Sequence, residues 1–500
     1  MNETINFVLV LAGLTVLVVA ADLIQKTYKV DQKKTREFVH AAVAIVVFFT
    51  PLFFRSKFYP ASLAGIFVVV NLVSLRLGMF KGMNLDKKNL GTVYYPISFF
   101  ILVMLLWDNY PFIVSTAMLV MGLADPAAAI VGSALKNTHE VFTFGECKTF
   151  EGSAAMFAVA SAAVLIGALF FRQSSATISD LPIETLFNIA VSIGLMVAAV
   201  ELVSPKATDN LTVPLSAAVL IYISVSNQML FDAFMAGEFL AAIVAVASYK
   251  LRLLTKDGAV ATFILGGFIF GFGGWKWSTP ILAFFIIGSL ASKLFSQRKA
   301  SYNLLYEKSH TRDSAQVFAN GGLALLMLIC NVLLPNYHPN DPSVWFLAYL
   351  GALAAVTADT LATEIGIFSR TNPFSLSLWK RVEKGVSGAI SPLGTIAGLV
   401  SAAVLAVLTL PFAGGYAAFP IRFVVAGAFS GAIGSLADSL FGGTFQSQYR
   451  CAICCKITER KKHCNGTDTN LVQGYRWINN DVVNFAASVV GAVAFPLLFL

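Results

Sequence analysis

Two short strings place carboxylates inside long apolar runs. GLADPAAAIVG carries Asp125, and ADTLATEIG carries Asp359 and Glu364. An ionisable group in such a run needs a partner, a cavity or a function. Carboxylates suit hard oxygen-liking cations, and Mg²⁺ bound by one or two of them commonly bridges to phosphates. Asp125 is followed by GECKTFEGS, where Lys148 can meet a phosphate, Thr149 and Ser153 offer hydroxyls, and Gly145 and Gly152 free the backbone. The spacing is not that of a Walker A loop. On a helix, Asp359 stacks over Thr363 and Thr360 over Glu364, which makes one broad acceptor-rich face.

Other polar residues gather in the same half as Asp359. Ser292 and Lys293 end one apolar run, and Arg312, Asp313, Gln316 and Asn320 enter the next, the last three on one helical face. A polar stripe entering a span marks a lined cavity rather than a lipid face. Lys384 precedes a Gly/Ser run, Gly385, Ser387 and Gly388, expected to open a helix whose free N–H groups suit phosphate. Asp438 in SLADSLFGG and Asp481 in NNDVVN are further Mg²⁺ candidates. In the other half, His40 follows a basic cluster, and Glu201, Asp209 and Asn210 fall between two apolar runs. YRCAICCKITERKKHCNG supplies Cys451, Cys454, His463 and Cys464 as a Zn²⁺ ligand set, with Cys455 competing for Cys454 or His463.

The elements that must position these groups are membrane helices. Of 500 residues, 57% are hydrophobic and 12% charged, against about 25% charged in a soluble domain. Apolar runs recur at bilayer-spanning length along the chain, and the short-period alternation of a β-barrel is absent. The expected fold is an all-α polytopic membrane protein of about fourteen to sixteen transmembrane helices in two bundles, 1–236 and 237–500, the second with a Cys-rich loop at 447–468. The first apolar run lacks a basic leader and a small-residue exit, so it reads as a first span rather than a signal peptide. With the N-terminus outside, the inside loops hold 30 of the 35 Lys and Arg residues, leaving Arg55, Lys57, Arg172, Lys276 and Arg422 outside. That split orients the chain by the positive-inside rule. It also assigns the net charge of +8 to topology and not to nucleic-acid binding. The polar strings all fall on the cytoplasmic side of an inner membrane or its equivalent. A transporter needs polar groups midway and access from both faces, so one-sided chemistry favours an enzyme.

Over about residues 30–220, the basic cluster with His40, then GTVYYP, ADPAAAIVG, KTFEGS and E-x2-S-x4-DN-L-x2-P, resembles the dolichol kinase/phytol kinase family. The resemblance implies phosphorylation of an isoprenoid alcohol by a nucleoside triphosphate, typically CTP. It implies that Asp125, Lys148, Glu151, Gly152 and Ser153 form the nucleotide and metal site. These motifs grade into phosphatidate cytidylyltransferase-like proteins. Over 240–500, LLTKDGAVA, AQVFANGG, ADTLATEIG, GVSGAIS-x-LGT, GSLADSLFGGTFQ and NNDVVN resemble the transmembrane protein 19-like family, which includes the plant phytyl-phosphate kinase. That resemblance implies conversion of an isoprenyl monophosphate to the diphosphate.

The expectation is therefore a bifunctional lipid kinase with Mg²⁺ and CTP as cofactor and donor. Its partners are membrane lipid, a prenyl alcohol and its monophosphate. An attacking alcohol must lose a proton, so the first site needs a base, Asp125 or His40. A phosphate monoester is already anionic, so the second site needs cations and metal-holding carboxylates, with Asp359 and Glu364 foremost. The alternatives are a transporter or lipid flippase, and a CTP-dependent lipid cytidylyltransferase.

Overall fold

The computed structural model describes residues 2–77, 90–295, 311–334, 343–384, 386–455, 457–464 and 466–500. Its contacts divide the chain into two compact units, Met1–Asp232 and Ala233–Leu500. Among the described residues, thirteen helices are long and apolar enough to cross a bilayer, and one more apolar helix is shorter.

The first unit contains α1 (Glu3–Tyr28), α2 (Gln32–Phe48), α3 (Thr50–Phe53), α4 (Phe58–Leu77), α5 (Gly91–Leu106) and α6 (Pro111–Ala134). A hairpin of β1 (Glu140–Thr143) and β2 (Glu146–Thr149) follows. The unit continues with α7 (Phe150–Phe171), α8 (Ala176–Ser179), α9 (Ile183–Val203) and α10 (Asp209–Ser226). Helix α6 is its axis, packed against α2, α7 and α10. The most apolar stretches of α6 and α9 are each 72% buried, against 17% for α1. The two helices that carry Asp125 and Glu201 are thus the most enclosed in the unit.

Helix α11 (Gln228–Lys250) runs through most of 226–238, a stretch whose polarity reads as a break in the sequence. Next come α12 (Lys256–Phe295), α13 (Ser314–Leu333) and α14 (Val344–Gly366). Helix α12 is broken at Gly274, whose φ of 55° and ψ of −159° are not helical, so it consists of two helices that meet at a kink, as two expected spans would. Strands β3 (Phe374–Ser375), β4 (Lys380–Arg381) and β5 (Ala389–Ile390) lead into α15 (Pro392–Thr409) and α16 (Pro420–Thr444). Strands β6 (Gln448–Cys451), β7 (Ile457–Thr458), β8 (Lys462–His463) and β9 (Thr467–Gln473) precede α17 (Asn480–Phe499). These last four strands make one antiparallel sheet in the order β7-β6-β9-β8.

Helix α14 is the axis of the second unit, 78% buried over its apolar stretch and packed against α15, α16 and α17. Its contact with α17 is backbone to backbone, because a Cβ on Gly351 would lie 2.1 Å from the carbonyl oxygen of Gly491. Small residues at such crossings let membrane helices approach closely. The approach holds the polar end of α14, with Asp359 and Glu364, inside a ring of neighbours.

Candidate functional site

In the first unit the carboxylates converge from three helices. Asp125 lies on α6, Glu201 in the last turn of α9 and Asp209 in the first turn of α10. One oxygen from each lies within 4.8 Å of the others. Lys148, on β2, points into this group. Its Nζ lies 2.7 Å from Glu201 Oε1 and 3.7 Å from Asp209, and it donates to the Glu201 carbonyl at 2.5 Å. Burial acts to lower the Lys148 pKa, but Glu201 and Asp209 outweigh it and hold the ammonium above its ordinary value. Three clustered acids and one cation leave room for a further positive charge, which suits Mg²⁺.

His40 Nδ1 lies 3.9 Å from Asp125 Oδ2, and its ring meets Tyr95 edge-on at 4.6 Å between centroids. Its Nε2 is buried and has no hydrogen-bond partner among the described residues. His40, Arg36 and Asn210 line a cavity of about 120 Å³ whose other walls are mostly apolar side chains of α1, α2, α4 and α5, with Thr50, Asn71 and Thr92 among them. Asn210 also donates to Asp209 at 2.9 Å.

Within the KTFEGS string, Thr149, Glu151 and Gly152 each serve the local fold. Thr149 caps α7, its hydroxyl accepting from Gly152 N at 3.1 Å. Both oxygens of Glu151 accept from His139 N, at 3.1 and 3.0 Å, and Oε1 also pairs with the His139 ring at 2.7 Å. A Cβ on Gly152 would lie 3.0 Å from the Ala128 carbonyl, so this glycine lets α7 close on α6. The Ser153 hydroxyl is buried without a hydrogen-bond partner among the described residues. Of this string, Lys148 alone reaches the acid group; Glu151 and Gly152 serve the hairpin and the helix contact.

In the second unit a cavity of about 320 Å³ opens at the polar end of α14. Asp359, Glu364, Gln316, Asn320, Lys384, Ser387, Gly388 and Asp438 all line it. Asp359 and Asp438 come from α14 and α16 and face each other, with Ser435 beside Asp359. One Asp438 oxygen, Oδ2, is buried without a hydrogen-bond partner among the described residues. Glu364 belongs to another part of the wall, where Oε1 accepts from Ser292 at 3.2 Å and Arg312 faces it electrostatically. Among the described residues these acids form no three-ligand group. Asp481 and Lys293 do not line the cavity. Asp481 is buried in the first turn of α17, while Ser292, not its neighbour Lys293, turns inward. Asn480 and Asn484 of the same string do line it, and Asn484 bonds Asn320 at 3.4 Å.

The Gly/Ser run is not a helix start. Helix α15 begins at Pro392, and its cap Ser391 accepts from Gly394 N at 3.1 Å. Pro392 has no N–H to donate, so little of that terminus is left for an anion. Ser387 instead donates to Gln446 Oε1 at 3.1 Å. Gly388, at φ +77°, lies where a Cβ would meet the Gly443 backbone at 2.3 Å, so the turn sits flush on α16. Gly385 lies outside the described residues. Lys384 donates to the Ser369 carbonyl at 2.6 Å from the cavity rim.

Arg312 gains its importance from the fold. Its backbone bonds Leu253 and Thr255 at the start of α12, donating at 3.0 Å and accepting at 3.0 Å. Its guanidinium stacks over Phe284, 5.2 Å from the ring centroid. Gly288 leaves it space, since a Cβ there would lie 2.7 Å from Nη2. Arg312, Gln316 and Asn320 line the polar cavity and also an adjoining apolar pocket of about 70 Å³ between α11, α12 and α13. Gln316 and Asp313 form the capping box of α13, with Asp313 accepting from Gln316 N at 2.9 Å. Spacing names Glu201, Arg312, Asp359 and Asp438 but not which groups they stand with, because their partners lie far along the chain.

Residues 239–492 match the family model described as integral membrane protein DUF92. The chain is 29% identical over 258 residues to an uncharacterized membrane protein of Methanocaldococcus jannaschii, covering 51% of this chain and 90% of that one. It is 23% identical over 248 residues to Protein VTE6, chloroplastic, of Arabidopsis thaliana, covering 49% of this chain and 65% of that one. It is 26% identical over 209 residues to a protein of Synechocystis named phytol kinase, covering 41% of this chain and 85% of that one. No solved structure matches.

Proposed function

We propose, from the premise that this chain belongs to the DUF92 family of integral membrane proteins, that it is an isoprenoid lipid kinase with two phosphoryl-transfer sites. The first unit would convert a prenyl alcohol such as phytol to its monophosphate, and the second would convert the monophosphate to the diphosphate. A nucleoside triphosphate, CTP by preference, is the donor at both, from the cytoplasmic side. The relative named phytol kinase supports the chemical class.

One observation carries the reading most directly. In the second unit a polar cavity and an apolar pocket meet at Arg312, Gln316 and Asn320. A ligand with an anionic head and an apolar tail satisfies both sides of that junction, with Arg312 on the phosphate. Mg²⁺ would be held by Asp359 and Asp438, supplying charge neutralisation for the triphosphate. No histidine lines this cavity among the described residues, in keeping with a nucleophile that has no proton to lose. A phosphate oxygen of the lipid attacks the γ-phosphorus, the new P–O bond forms, and the bond to the β-phosphate oxygen breaks to release nucleoside diphosphate.

The first unit offers what an alcohol requires. Its apolar cavity ends at His40, whose Nε2 can take the hydroxyl proton, beside the acid group of Asp125, Glu201 and Asp209. Those three acids would hold Mg²⁺, and Lys148 would offset phosphate charge.

The test uses purified chain with phytol, CTP and Mg²⁺, following lipid and nucleotide products together. Monophosphate then diphosphate, with one CDP per transfer, is expected. Pyrophosphate release would replace the kinase with a cytidylyltransferase, and lipid scrambling in liposomes without nucleotide turnover would replace it with a flippase.

A further inference from the structure

We propose that Cys451, Cys454, His463 and Cys464 bind one Zn²⁺ ion, and that this ion holds the loop carrying Glu459 against the wall of the second unit's cavity.

The donor set is of the right kind and in the right place. One ligand atom from each of the four residues lies within 4.8 Å of all the others. The His463 Nδ1 lies 3.5 Å from Cys454 Sγ and 3.2 Å from Cys464 Sγ. Tetrahedral Zn²⁺ with ordinary Zn–S and Zn–N bonds sets that edge at roughly 3.6 Å. Three thiolates and one imidazole select Zn²⁺ over the hard cations that suit the carboxylate sites. Cys451 is fully buried, while Cys455, the rival ligand, is exposed and stands outside the group.

The sheet also needs a staple. Between Gln448 and Gln473 the buried described residues are Gln448, Tyr449, Cys451 and Thr458, while Ile453, Ile457 and Val472 are exposed. Strands β7 and β8 are two residues each. So small a sheet has too little apolar core to order itself, and a structural metal is a common remedy.

The consequence for the cavity follows from the connections. Glu459 directly follows β7 and lines the cavity. Its Oε1 accepts from Gln446 Nε2 at 2.9 Å, and Gln446 Oε1 accepts from Ser387 at 3.1 Å. Gln446 is 1% exposed, so this relay is enclosed. Holding β7 and β8 in place therefore holds Glu459, Gln446 and the Ser387–Gly388 turn together.

Metal analysis of the full chain in detergent tests the site, independently of any kinase activity. One zinc per chain is expected, kept by Cys455→Ser and lost by Cys464→Ser. Chelation of the unmutated chain covers the case in which Cys464→Ser fails to fold. It should release the zinc, expose the three cluster thiols to alkylation, and speed amide exchange at 386–389 and 446–448 by about tenfold. A chain made with zinc present that carries none, or zinc that survives Cys464→Ser, overturns the site. Zinc release with unchanged exchange at 386–389 overturns the link to the cavity.

Discussion

Arg312 is the sharpest place to perturb the second site. Arg312→Gln keeps a hydrogen-bonding side chain beside Ser292 and Glu364 but removes the charge. Burial draws the guanidinium down to about 10, with Glu364 opposing, so it is protonated throughout the neutral range. Its place at the mouth shared by cavity and apolar pocket puts it on the lipid head group in the proposed complex. Hydrogen bonds to charged groups contribute about 1.5–3 kcal/mol each. Truncating one partner of a buried charge pair costs about 2–5 kcal/mol. A loss near 3 kcal/mol corresponds to roughly a hundredfold in kcat/KM for prenyl monophosphate. Arg312→Lys keeps the charge but not the planar fork, and should recover part of that loss. The assay is initial-rate conversion of monophosphate to diphosphate, with alcohol phosphorylation by the same preparation as internal control. A change under about threefold for the monophosphate, or an equal loss on the alcohol, refutes the assignment.

Glu201→Gln should abolish alcohol phosphorylation while added monophosphate is still converted, because it removes one of three clustered acids and the 2.7 Å partner of Lys148. Glu151→Gln, by contrast, should change kcat/KM less than about threefold, since its oxygens are occupied by His139. Asp438→Asn should raise the Mg²⁺ concentration for half-maximal diphosphate formation at least tenfold, whereas Asp481→Asn, whose residue does not line the cavity, should leave it unchanged. Gly351→Val should lower the thermal midpoint or prevent recovery of folded protein, because its first side-chain atom would lie 2.1 Å from the Gly491 oxygen.

Much of the molecule is legible without coordinates. Apolar run lengths announce the helices, and rare carboxylates within them announce Asp125, Asp359 and Asp438 as residues with a task. The Cys-x2-Cys…His-Cys spacing announces the soft-ligand group, and the structure gathers those four side chains. Local pattern misleads where a residue's partner is local too. Glu151 and Thr149 look like phosphate-binding groups, yet each closes a bond within its own hairpin or helix turn. The Gly385–Gly388 run looks like a helix start because spacing alone does not show that Ser391 and Pro392 begin α15.

Which acid faces which other is a question the sequence leaves open. Lys148 meets Glu201 across 53 positions, and Arg312 faces Glu364 from the bridge that precedes α13. Asp359 and Glu364 are close in sequence, but five helical residues turn them to different parts of the wall. Asp359 finds its partner in Asp438 on α16. The rotation of each helix is set by where neighbouring backbones can touch, as at Gly351 and Gly491 or at Gly122 against Ala44. Sequence determined that this chain is a bundle of membrane helices with acidic residues at their polar ends. Packing of small residues between helices decided which of those acids stand together, because a helix turned by one residue points each of its carboxylates about 100° elsewhere.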